Sequence, residues 1–181
     1  MDALGSVATV VQLISFTGDL LVRGYGYLAK VRKAPAEIRA LMRETATLNS
    51  LLAQLQDQVV EAEYDGTANH ALQTLEMLGT FEDCETLMRL IESGIKTCEQ
   101  VDGERLRNLG KQIVWPFKGN EMKELKEQLR LLIDTFDSAV TLDSSRTLKN
   151  VKTIVNSIDR NVIENLQVSS GLYDSNLVYG S

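Results

Sequence analysis

Hydrophobic positions recur every three and four residues in one block after another along this chain, a period that predicts helices throughout. From Ala3 to Gly18 there is no charged side chain, and Leu4, Val7, Ala8, Val10, Val11, Leu13, Ile14 and Phe16 lie almost all the way round a helix. A helix apolar on every side has to be buried, as the pillar of a bundle or in a lipid bilayer. Sixteen residues at about 1.5 Å each give roughly 24 Å, short of the ~20 apolar residues of a usual membrane span. Asp2 stands where a secretory signal would carry Lys or Arg, and no small-residue cleavage site follows, which argues against a signal peptide. Asp2 also suits the cap of this first helix, and Gly24 and Gly26 predict a hinge or break before Tyr27.

Pro35 fits the first turn of a second helix, where its missing amide hydrogen costs nothing. Ile38, Leu41, Met42, Thr45, Leu48, Leu51, Leu52, Leu55 and Val59 then mark one long apolar face to about Val60. The stretch 61–69, with Asp65, Gly66, Thr67 and Asn69, reads as a loop. Leu72, Leu75, Met77, Leu78, Phe81, Leu87, Leu90, Ile91 and Ile95 define a third helical region, interrupted near Gly79. Residues 104–114 predict a short helix that stops before Trp115, because the residue preceding Pro116 is biased away from helical geometry. Two further helices are expected, one over 119–142 with Met122, Leu125, Leu129, Leu132, Ile133, Phe136 and Val140 inward, and one over 144–166. Residues 169–181 show no helical period and read as a flexible tail.

Only two prolines and 6 % aromatics accompany long runs of Leu, Glu, Lys, Gln and Arg, so the composition also favours an all-α chain. At 181 residues it suits one domain that needs no covalent staples. Cys84 and Cys98 lie fourteen residues apart on one predicted helix, about 21 Å, too far to bridge; this is a reduced, cytosolic pattern.

The net charge of −6 conceals segregation: −1 over 1–18, +3 over 19–44, −10 over 57–104, +4 over 105–130 and −2 over 131–181. An acidic total with few aromatics beside its cations argues against nucleic-acid binding. The basic stretch Arg23, Lys30, Arg32, Lys33, Arg39 and Arg43 is either a solvated face or an anionic-lipid contact next to the apolar N-terminus.

Catalytic chemistry has little to build from. One histidine, His70, and two separated cysteines do not make a zinc site or a nucleophile pair, and no phosphate-binding loop pattern occurs. The carboxylates at 61–65 and 82–85 point in different directions on a helix and read as solvated surface. No enzyme and no cofactor is expected. Trp115, Pro116 and Phe117 read as a packed corner, and Tyr25 and Tyr27 as core or headgroup anchors.

The opening residues 1–8 leading to Val11, Leu13, Phe16, Thr17 and Gly18 resemble the start of fungal HeLo-like domains, the N-terminal effector domains of NLR-like STAND receptors. Ala34, Pro35, Glu37 and Ile38 at the entry to a long helix, Leu52, Leu55, Cys84, and Trp115 to Phe117 followed by Leu125, Leu129, Leu132 and Leu142 extend the likeness over about residues 1–166. The resemblance implies a multi-helix, four-helix-bundle-like fold with a largely buried apolar N-terminal helix, related to the HeLo domain of HET-S and to the bundle of MLKL. It implies a cell-death effector, cytoplasmic at rest, that self-associates and exposes its N-terminal helix to permeabilise the plasma membrane. On this chain the insertion role maps onto Leu4, Val7, Ala8, Val11, Leu13, Ile14 and Phe16, and anionic-lipid contact onto Arg23, Lys30, Arg32 and Lys33. The family's partners would be a NACHT or NB-ARC module in cis or an amyloid-motif protein in trans. Residues 167–181 would then be a linker or such a signalling motif. The alternative is a non-lytic adaptor whose N-terminal helix never leaves the core, in which case a charge at Leu4, Val11 or Phe16 should unfold the domain.

Overall fold

The computed structural model describes residues 3–30, 36–101, 117 and 119–175, and every regular element among them is helical. These are α1 (Ala3–Lys30), α2 (Ala36–Tyr64), α3 (His70–Met77), α4 (Thr80–Val101) and α5 (Asn120–Ser175). The chain divides into two compact units, 1–142 and 143–181. The first is a multi-helix bundle; in the second, helical geometry continues to Ser175. The expected short helix over 104–114, Pro35, and Trp115 with Pro116 lie outside the described residues; Phe117 is half-buried against the core.

The bundle core is built from one stripe per helix. On α2 it is Ile38, Leu41, Met42, Thr45, Leu48, Leu51, Leu52, Leu55 and Val59. Met88 and Ile91 of α4 and Leu125, Leu129 and Phe136 of the first half of α5 close around it, with the Phe81 and Phe136 rings 5.9 Å apart and tilted by 56°. Polar ties hold the same layer. Glu44 Oε1 accepts from Arg130 Nε at 3.2 Å, with Nη2 of the same guanidinium 3.2 Å away as an ion pair, and Gln58 Nε2 donates to the Val140 carbonyl at 3.0 Å.

Between α2 and α4 the chain turns through readable caps. Asn69 is the N-cap of α3, its side chain accepting from Leu72 N at 2.8 Å. Gly79 separates α3 from α4 at φ +67°, a left-handed conformation that a side chain would strain, and this is the physical cause of the interruption expected there.

Several helix boundaries expected from the sequence differ from the structure. α1 does not bend at Gly24 or Gly26 but runs unbroken to Lys30, because Gly24 is a buried packing position and not a hinge. A Cβ at residue 24 would strike Met42 Sδ, so the missing side chain lets α1 and α2 approach. α5 does not break at 143–145. Asp143, Ser144 and Ser145 look like a cap, yet each costs only about half a kcal/mol inside a helix, and neither Gly nor Pro is present to stop propagation. Helix also continues past residue 169, where no period is visible, and runs through Gly171 to Ser175.

Candidate functional site

α1 is 28 residues long and carries the candidate chemistry of the chain. Its buried positions are Val10, Leu13, Thr17, Leu20, Gly24 and Tyr27, alternating three and four residues apart. That spacing is a narrow coiled-coil-like seam, so burial follows one stripe and not the whole circumference.

The residues assigned to membrane insertion divide accordingly. Leu13 is buried, Val7, Ile14 and Phe16 are half-buried, and Ala8 and Val11 are exposed. The side chains of Leu4 and Lys30, and all of Arg32 and Lys33, lie outside the described residues. Val11 is 44 % exposed, so the expectation that a charge there must unfold the domain does not apply: its side chain already meets water. The pattern that would have found the true anchors, Val10, Leu20 and Tyr27, is the 3-4-3-4-3 spacing, which is hidden because apolar residues also occupy the opposite face.

Polar contacts pin the buried stripe. Thr17 Oγ1 lies 2.8 Å from the Leu13 carbonyl, 3.1 Å from the Ile14 carbonyl and 2.5 Å from Asn49 Oδ1, so its single proton has two local acceptors and one cross-helix acceptor within reach. Arg23 Nη1 donates to Glu92 Oε1 of α4 at 3.0 Å, and Lys96 Nζ reaches the same oxygen at 2.9 Å. Arg23, assigned to lipid contact, is therefore committed to an ion pair, although nearly half of its side chain remains accessible. Arg89 of α4 stacks over Phe16 with its guanidinium carbon 5.6 Å from the ring centre, a cation–π contact that covers one face of that aromatic.

Opposite the seam, Ala8, Val11, Gln12, Ser15, Asp19 and Val22 face outward. As a result the stretch Val7–Ala29, 23 residues, is long and apolar enough to cross a membrane by length and composition, while only 28 % of its apolar window is buried. The sixteen-residue limit read from the sequence fell short because it stopped at Gly18.

Cys84 and Cys98 are buried on α4 and are not joined in a disulfide. Burial, with a smaller contribution from neighbouring Glu85, pushes the Cys84 thiol up to about 12, so it stays protonated and a poor nucleophile. His70 opens α3 and is exposed. Among the described residues no three His, Cys, Asp or Glu side chains are grouped to hold a metal ion.

No family model, curated protein or solved structure matches the chain.

Proposed function

We propose that the protein is a cell-death effector of the HeLo-like kind, whose α1 leaves the bundle on oligomerisation and permeabilises the plasma membrane. The observation that supports this reading is the composition of α1: a helix that needs only one seam inside is long and apolar enough over 23 residues to cross a membrane, with Val11 and Val22 turned to water.

Energetics require the release to be coupled. Exposing Val10, Leu13, Leu20 and Tyr27 costs roughly 6–12 kcal/mol, comparable to the whole stability of a domain. A lone molecule would populate the released state at less than about one part in ten thousand. Insertion into lipid, shared among assembled copies around the polar edge of Gln12 and Ser15, supplies the compensating burial.

A second reading, an interaction module whose α1 stays docked, is favoured by the cross-helix contacts of Thr17 with Asn49 and Arg23 with Glu92. Dye release from anionic liposomes separates the two. Gln12→Glu and Ser15→Asp fall on exposed positions, so both should keep helicity and thermal midpoint while abolishing release by the wild type. Variants that fold and still permeabilise would remove α1 insertion from consideration, and absence of release by wild type after forced multimerisation would leave the adaptor.

A further inference from the structure

The last turns of α1 and the first turns of α2 border an open cleft of about 550 Å³, lined by Tyr25, Leu28, Ala29, Arg39 and Arg43. α1 supplies an aromatic and aliphatic wall. α2 supplies two exposed guanidinium groups four residues apart, which places them on one helix face. Like charges at this spacing repel, and among the described residues neither arginine pairs with a carboxylate. Among the described residues no acid lines the cleft, in a chain of net charge −6, and from residue 30 to residue 43 the sequence carries five cations against the single acid Glu37. Planar guanidinium forks match the oxygens of a phosphate, and the Tyr25 and Leu28 wall accepts the apolar or aromatic body that bears it.

We infer that this cleft binds a phosphate monoester and that, because α1 and α2 each form one wall, the bound ligand holds α1 in the bundle. A ligand that binds only the docked arrangement stabilises it by RT ln(1 + c/Kd), which rises with the free ligand concentration c. The ligand thus opposes release, and only that consequence rests on the function proposed above; binding itself does not.

Phenyl phosphate, a soluble monoester, and vesicles of phosphatidylcholine with or without phosphatidic acid, a lipid monoester, serve as probes of the full chain. Titration calorimetry should show saturable phenyl phosphate binding, weakened roughly tenfold or more in the double variant Arg39→Gln/Arg43→Gln. It should be partly retained in Arg39→Lys/Arg43→Lys and unchanged in Lys123→Gln/Lys126→Gln, which removes the same charge elsewhere. Circular dichroism checks that each variant is folded. Amide hydrogen exchange over residues 10–27 should slow with phenyl phosphate in the wild type and not in the Arg39→Gln/Arg43→Gln chain. Equal weakening by the lysine-to-glutamine pair, or binding to phosphatidic-acid vesicles without binding of phenyl phosphate, overturns the site in favour of diffuse surface attraction. Binding without slowed exchange overturns the hold on α1. Dye release measured alongside bears on the effector reading alone, so the two can fail separately.

Discussion

At the scale of single residues, what a position does in this bundle depends on which stripe it occupies more than on its chemical type. Gly24 and Gly26 are two residues apart on α1, yet a Cβ at 24 would strike Met42, whereas nothing lies within 4 Å of one at 26. Gly24→Ala should therefore cost about 1–3 kcal/mol through overpacking. Gly26→Ala should stabilise by about 0.5–1 kcal/mol through helix propensity. Urea denaturation of the two variants checks the contrast; a hinge would have made both substitutions act alike. The glycine pair could not be told apart in the sequence, because the neighbour that distinguishes them is a methionine eighteen residues further on.

At the scale of elements, legibility tracked amphipathicity. All nine apolar-face positions expected on α2 are its buried residues, since a polar opposite face leaves only one way to orient the helix. In the third helical region Met77 and Leu78 were expected inside with Leu75, but they are 80 % and 62 % exposed. They close α3 just before the left-handed turn at Gly79, which takes them off the core face. α1 is the hardest case, as its apolar circumference gives no period to read. There the orientation is set by polar marks. Thr17→Val removes the donor to Asn49 and leaves that half-buried amide oxygen without it, at an expected cost of about 1–3 kcal/mol. In an Asn49→Leu background the same change should cost much less, and a double-mutant cycle by thermal unfolding measures the difference. An equal cost in both backgrounds would mean that the hydroxyl serves only its own helix.

At the scale of the whole molecule, the bundle of residues 1–142 rests on α1 as an integral wall, so one seam position can undo it all. Leu13→Asp places a carboxylate where 4 % of the side chain is accessible and should abolish cooperative unfolding. Val11→Asp, at 44 % exposure, should shift stability by less than about 0.5 kcal/mol. Calorimetry of the pair decides whether α1 has the orientation described. The all-α architecture was legible from the full length of the chain, because periodicity, composition and scarce proline agreed. The continuity of helix through 143–175 was not, because weak stop signals compete poorly with propagation.

The two contacts that key α1 to α2, Thr17 with Asn49 and Gly24 with Met42, lie seven residues apart on each helix and in opposite directions. Translating α1 by one heptad, roughly 10 Å, would bring the branched Thr17 into the notch that only Gly24 leaves open at Met42. A slide of α1 in that direction is thus blocked at a single rung, and Gly24 against Met42 marks the one register at which these two helices fit.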